Sequence, residues 1–168
     1  IFRHLLSSFL YLEASKNVYA FQTIDALYSS GSTVAQLDVF QVAPVNCLLD
    51  NGVNKIPSII KTGRTNSDLS SISVMIMASS AINASDIAIN YGTGSVNRVS
   101  ASDIANAKKV ISGTEDWVTY YVNILANVAG DVSVYAPGPV AVAYLGLSAA
   151  SGVAGYFSGF GTIPTIDV

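Results

Sequence analysis

A long stretch without any charged side chain runs from Val132 to Ile166. Such a stretch must be buried in protein, in a membrane or in an assembly. Within it, β-branched and aromatic residues recur at every second position in 132–134 and again in 140–144, which is the spacing of a strand with one buried face. Pro137-Gly138-Pro139 separates the two runs and predicts a turn. We therefore predict two strands, a glycine- and serine-rich loop at 146–155 and a closing strand at 156–160.

The alternative for this stretch is a transmembrane helix, because Pro139 to Phe160 is long and apolar enough to span a bilayer. Five glycines lie between Gly146 and Gly161, several serines are interspersed, and no Lys or Arg borders the segment. Membrane spans usually have basic flanks. The composition therefore favours strands, and membrane insertion is not expected.

Charged residues make up 11% of the 168 residues, less than half of the roughly 25% that is usual in soluble domains. This composition is typical of secreted β proteins that stay soluble through Ser, Thr, Asn and Gly, or of chains that bury surface against neighbours. The net charge is −3, and Lys108-Lys109 is the only basic pair. A nucleic-acid partner is therefore not expected. The length fits a single β domain, 1–168, either whole or as part of a larger surface protein.

Catalytic and metal-binding residue types are scarce. Cys47 is the only cysteine and His4 the only histidine, which excludes an internal disulfide and a histidine-rich metal site. A nucleophilic triad would have to include His4, and no partner pattern surrounds it. Asp50-Asn51-Gly52 predicts a tight turn, and the ligands that would complete a calcium loop are missing. The sequence thus predicts no enzyme, no cofactor and no metal.

Aromatic residues offer the one candidate contact site. Glu115-Asp116 precedes Trp117, but neighbouring residues of a strand point to opposite faces, which argues against a catalytic carboxylate pair. Aromatic side chains form stacking platforms for sugars, and they also fill β-sheet cores. The candidate contacts to a glycan or a partner protein are Trp117, Tyr120, Tyr121 and Tyr91.

Turn signals divide the rest of the chain into strand-length runs. We predict a hairpin of 2–12 and 18–22 around a turn at 15–17, a strand within 34–45, a central buried strand at 73–78, a short strand at 87–89 and an alternating strand at 117–124. Ser102-Asp103 predicts the cap of one short helix, with Ile104, Ala107 or Lys108, and Ile111 on one face. The pattern predicts an all-β fold, an antiparallel β-sandwich or jelly roll with at most one short helix.

Five short segments also occur in a recognisable order: Val18-Tyr19-Ala20-Phe21-Gln22, Val42-Ala43-Pro44-Val45-Asn46-Cys47, Val53-Asn54-Lys55-Ile56-Pro57, Asp131-Val132-Ser133-Val134 and Gly155-Tyr156-Phe157-Ser158-Gly159-Phe160. Together they resemble the bacterial domains related to the N-terminal region of IgGFc-binding protein. The resemblance covers nearly the whole chain, and it implies an extracellular β module of a large secreted or cell-surface protein, in gliding, adhesion or matrix contexts. It carries over no binding residue and does not imply immunoglobulin binding. Some members of that family have several cysteines where this chain has one.

Three functional hypotheses follow. The first is a non-enzymatic structural or adhesive module of a secreted or cell-surface bacterial protein. The second is a self-assembling fibre, sheath or surface-layer subunit, which would use its β edges and bury the apolar C-terminal third between protomers. The third is a carbohydrate-binding module with an aromatic platform. The expected partners are neighbouring domains or identical subunits, with glycans or host surface proteins as alternatives.

Overall fold

The protein folds into two antiparallel β-sheets that enclose one core, so the all-β prediction is confirmed. The fold is described from a computed structural model. The structure describes residues 11–16, 18–24, 38–42, 44–45, 49–57, 61–62, 67–68, 71–92, 96–124, 131–148 and 152–158.

Thirteen strands and one short α-helix make up the described part of the chain. The strands are β1 (Phe21–Ile24), β2 (Asp38–Gln41), β3 (Gly52–Ile56), β4 (Lys61–Thr62), β5 (Ser67–Asp68), β6 (Ser71–Ser79), β7 (Ala88–Gly92), β8 (Asn97–Arg98), β9 (Lys108–Val110), β10 (Trp117–Ile124), β11 (Asp131–Tyr135), β12 (Val140–Ser148) and β13 (Gly152–Ser158). The helix α1 spans Ala101–Asn106, and a single 3-10 turn spans Ala84–Asp86.

The larger sheet has the strand order β13-β12-β6-β10-β9. Its central strand, β6, is buried at nearly every position, as the apolar residues on both of its faces predict. β10 begins and ends at the predicted residues, and its alternation is confirmed: Val118, Tyr120 and Val122 are buried on the inner face. Long antiparallel pairings of β6 with β10 and β12 fix the register of this sheet.

The smaller sheet has the order β3-β11-β7-β8. Its first strand begins at Gly52, which pairs with Tyr135. A side chain at Gly52 would collide with the carbonyl oxygen of Val134, so glycine is required here by close approach of β11. The pairing of β3 with β11 is irregular between Val132 and Val134, and such a bulge bends the strand and increases its twist.

The inner faces of the two sheets share a single hydrophobic cluster, which makes the fold a β-sandwich. Tyr144 and Tyr120 are the largest fully buried side chains. The Tyr120 hydroxyl donates a hydrogen bond of 3.1 Å to the carbonyl oxygen of Ile82, and so its polar end is satisfied inside the core. Among the described residues, no buried side-chain nitrogen or oxygen lacks a partner.

A different element joins the two sheets on each side of the sandwich. On one side α1 connects β8, at the edge of the small sheet, to β9, at the edge of the large sheet. The Ser100 side chain caps this helix by accepting the backbone N–H of Asp103 at 3.1 Å, and Ile104 is fully buried in the shared core. On the other side Tyr156 of β13 reaches the residue after β3, because its hydroxyl donates to the carbonyl oxygen of Pro57.

Several predicted boundaries are wrong for physical reasons. The predicted loop at 146–155 is largely strand: β12 continues to Ser148 and β13 starts at Gly152, because the small residues of the two strands pair with each other. The predicted N-terminal hairpin is not found in its described part, and residues 2–10 lie outside the described residues. β1 pairs with β2 instead, residues 11–16 form no strand, and 18–20 precede β1. Helix α1 begins after Ser100, two residues before the predicted cap.

The strand reading of the uncharged stretch is confirmed by β11, β12 and β13. The part of the chain that is described contains no helix long and apolar enough to cross a membrane. The predicted strand within 34–45 is β2, shorter than expected. His4, Asn17, Cys47 and Phe160 lie outside the described residues.

Candidate interaction surfaces

Large apolar side chains are exposed mainly in the N-terminal part of the chain. Among the described residues, most of those that are more than a third exposed lie between residues 12 and 39. The remaining ones are the scattered residues Val96, Val110 and Tyr135. Single exposed apolar residues are ordinary, whereas a concentration of them marks a contact surface. The exposed residues of this part of the sequence are Leu12, Val18, Tyr19, Phe21 and Val39, and the pairing of β1 with β2 brings Phe21 and Val39 together.

Two of these residues, Phe21 and Val39, are diagonal neighbours on the two-stranded ribbon formed by β1 and β2. Phe21 pairs with Gln41, and Thr23 pairs with Val39. Paired residues and those two apart on a strand point to the same face, so these four side chains share one face. All four are exposed, Phe21 by 65% and Val39 by 58%. We call these four residues the ribbon face; it is half apolar and carries no charge.

The ribbon is attached to the large sheet close to β13, which β2 contacts. The backbone N–H of Val42 donates to the carbonyl oxygen of Ala20 at 2.9 Å, which continues the ribbon beyond β2. The side chains of Val42 and Leu49 then pack on a second hydrophobic cluster, on the outer face of the large sheet. Its buried members are Met75, Ala141, Ala143 and Phe157. The residues that follow the ribbon thus cover part of the outer sheet face, while the ribbon face itself stays exposed.

The four predicted contact aromatics are not brought together. Tyr120 is 1% exposed and belongs to the core, so its selection as a contact residue is wrong: its ring packs between the sheets and its hydroxyl is bonded to Ile82. Burial raises the pKa of the Tyr120 hydroxyl. Tyr91 lies on β7 of the small sheet, half-buried against the core. Trp117 and Tyr121 share the outer face of β10 and are half-buried.

Carboxylates do not gather into a site in the described part of the chain. Glu115 and Asp116 are exposed, and Asp116 has a backbone role, since its N–H donates to the Thr114 hydroxyl and its carbonyl accepts from Ser80. The carbonyl oxygen of Asp50 accepts the N–H of Val140 and so positions the start of β12. No group of three or more His, Cys, Asp or Glu residues that could hold a metal occurs among the described residues.

Much of the described part of the uncharged C-terminal stretch is buried within the chain itself. Val140, Val142 and Tyr144 of β12 belong to the core of the sandwich, and Phe157 of β13 belongs to the outer cluster. Burial of these residues therefore needs no neighbouring protomer. The self-assembly hypothesis therefore does not need these described residues as contacts between protomers.

Sequence reasoning missed the ribbon face. Phe21 and Val39 occur in runs whose alternation normally indicates a buried face, and only the pairing of β1 with β2 shows that the face points outward. Comparison of the chain with protein-family models, with curated proteins and with solved structures finds no match.

Proposed function

We propose that the chain is a non-enzymatic structural or adhesive β module of a secreted or cell-surface bacterial protein. It contacts a second copy, either a neighbouring module of the same kind or an identical subunit, through the ribbon face. Homotypic contacts of this kind join structural modules into larger surfaces.

The observation that carries this proposal is the exposure of Phe21 and Val39 on one side of a hydrogen-bonded ribbon. Exposed aromatic and β-branched side chains lose unfavourable contact with water when they are covered. A hydrogen-bonded ribbon presents them with little further loss of backbone freedom, which lowers the entropic cost of association.

Charge supports a second copy as the partner. The chain has a net charge of only −3, so the overall repulsion between two copies is weak. The other members of the ribbon face, Thr23 and Gln41, are neutral. Two ribbon faces can therefore meet without opposing like charges. The resemblance to bacterial domains of the IgGFc-binding type supports the secreted or cell-surface setting of the proposal.

Sedimentation velocity at increasing protein concentration tests the proposal. We expect the sedimentation coefficient to rise with concentration for the unchanged chain and to stay at the monomer value for the double variant Phe21→Ser/Val39→Thr. The matched control is Val110→Thr, which changes an exposed valine on β9, away from the ribbon, and should associate normally.

A chain that stays monomeric at every concentration would contradict the proposal, and so would a double variant that associates like the unchanged chain. Association that continues into polymers without a limiting size would instead favour the self-assembling fibre or sheath hypothesis. Circular dichroism of each variant establishes that the sandwich is retained.

A further inference from the structure

The side of the sandwich that α1 closes carries an incomplete sheet edge. β9 is the last strand of the large sheet and pairs with β10. The carbonyl oxygen of Ala107 accepts the N–H of Tyr121 at 3.0 Å, so Ala107 directs its backbone toward β10. Because these directions alternate along an antiparallel strand, Lys109 also faces β10. The N–H and C=O groups of Lys108 and Val110 consequently point away from the sheet.

The backbone groups that point away from the sheet along β9 and the residues after it form an outward row, and the chain itself bonds one position of this row. The carbonyl oxygen of Ser112, two residues after Val110, accepts the N–H of Tyr11 at 3.3 Å. No bond to the outward groups of Lys108 or Val110 is found among the described residues. Tyr11 therefore occupies one end of the position that an additional strand would fill, and none of the described residues bonds the outward backbone groups of Lys108 and Val110.

The side chains along this edge are basic and apolar. Lys108 and Lys109 are exposed, and Val110 is 78% exposed. Arg98 is exposed on β8, the edge of the small sheet, and lies on the same side of the sandwich because α1 joins β8 directly to β9. Within the described ranges the one ion pair joins Lys55 to Asp131, on β3 and β11. Among the described residues, the charged groups at the β9 edge therefore have no ion-pair partner.

We infer that the β9 edge binds an acidic extended polypeptide segment, which adds to the large sheet as a further strand. The main chain of the segment bonds the outward groups of Lys108 and Val110, as in other cases of strand addition. Carboxylates lie opposite the two lysines, and an apolar side chain covers Val110.

The partner is an acidic segment because carboxylates opposite Lys108 and Lys109 attract them across the strand pair, whereas basic side chains at those positions would repel them. The side chain of Lys109 lies on the opposite face from those of Lys108 and Val110. An antiparallel partner therefore needs a valine followed by two glutamates. This surface is separate from the ribbon face, which lies near β13 at the other end of the large sheet.

Fluorescence anisotropy with a labelled, end-blocked peptide that carries Val-Glu-Glu flanked by threonines tests the charge requirement. We expect saturable binding to the unchanged chain, weakened at least about tenfold by Lys108→Gln/Lys109→Gln because both ion pairs are lost. The matched control is Lys55→Gln, which removes one exposed positive charge on the other sheet and should leave the affinity within about twofold.

The backbone requirement is tested with Val110→Pro. This change removes an N–H that points away from β10, so the ladder with β10 is retained, and edge strands tolerate proline in that orientation. We expect Val110→Pro to abolish peptide binding and Val110→Thr, which keeps the N–H and loses only the apolar contact, to weaken it much less. If Val110→Pro does not fold, the same peptide N-methylated at alternate residues provides the test from the other partner, and it should not bind.

Three results would overturn the inference. The first is the absence of saturable peptide binding. The second is an effect of Lys55→Gln as large as that of the double lysine variant. The third is equal binding of the parent peptide, the N-methylated peptide and dextran sulfate, which would show that the edge attracts any polyanion by charge alone.

Discussion

The hydroxyl of Tyr156 donates a hydrogen bond of 2.5 Å to the carbonyl oxygen of Pro57, and this bond joins the two sheets at their edges. Tyr156 lies on β13, an edge strand of the large sheet, and Pro57 follows β3, an edge strand of the small sheet. The ring of Tyr156 also stacks on that of Tyr144, with centroids 5.8 Å apart. One side of the sandwich is therefore held by a tyrosine, and the opposite side by α1.

Removing this hydroxyl should weaken the sandwich without changing its core. We expect Tyr156→Phe to lower the free energy of unfolding by about 0.5–1.5 kcal/mol, the usual net value of one hydrogen bond. Urea unfolding measures the loss. Tyr91→Phe is the control, because the Tyr91 hydroxyl makes no hydrogen bond to the described residues and its ring is half-buried. Equal losses in the two variants would contradict the role of the Pro57 bond.

Alkaline pH should destabilise the protein through Tyr156 and Tyr120. Burial raises the pKa of both hydroxyls, and the negative charge of Asp131 raises that of Tyr156 further. The folded state therefore keeps these protons at a pH where the unfolded state loses them. The stabilisation is complete below the ordinary tyrosine pKa of 10.0 and is lost as the pH rises above it.

Urea unfolding in a series of buffers on both sides of that pH measures this decline. The double variant Tyr120→Phe/Tyr156→Phe is less stable at neutral pH but should decline less steeply at alkaline pH, because neither ring can ionise. A decline as steep as that of the unchanged chain would show that other groups cause the alkaline sensitivity.

Gly52 should be the least replaceable glycine among those with described surroundings. A Cβ atom there would meet two backbone groups of β11, the carbonyl oxygen of Val134 and the Cα of Tyr135. We expect Gly52→Ala to cost about 1–3 kcal/mol, as overpacking usually does. Gly138→Ala is the control, since its Cβ would meet side-chain atoms of Ile82, the nearest being Cδ1 at 3.2 Å, and a side-chain end can move. Similar unfolding midpoints for the two variants would contradict this assignment.

The central strands could be predicted from sequence because each has a single local cause. β10 is an unbroken run of mostly β-branched and aromatic residues with Val118, Tyr120 and Val122 on one face, and β6 is apolar on both faces. The ends of β12 and β13 could not be predicted. Gly146 pairs with Ala154, and Leu145 with Gly155, so the strand state of these small residues comes from pairing across the sheet and overrides their weak strand preference.

The candidate surfaces could largely not be predicted from the sequence. Tyr120 and Tyr121 are neighbours of the same type, and only the packing of the small sheet on one face of β10 shows that Tyr120 is buried and Tyr121 half-buried. Likewise, the outward row at Lys108 and Val110 depends on the strand order of the large sheet, which places β9 at its edge. Pattern alone identifies strands but does not specify which edge or face remains uncovered.

The most direct test of the proposed contact is photo-cross-linking from the ribbon face. Phe21→benzoylphenylalanine keeps an aromatic side chain at the exposed position and allows the partner to be captured and mapped by mass spectrometry. We predict a covalent dimer in which the cross-link reaches Thr23, Val39 or Gln41 of the second copy. No dimer on illumination, or cross-links only to residues outside the ribbon face, would contradict the proposal that two modules meet through this surface.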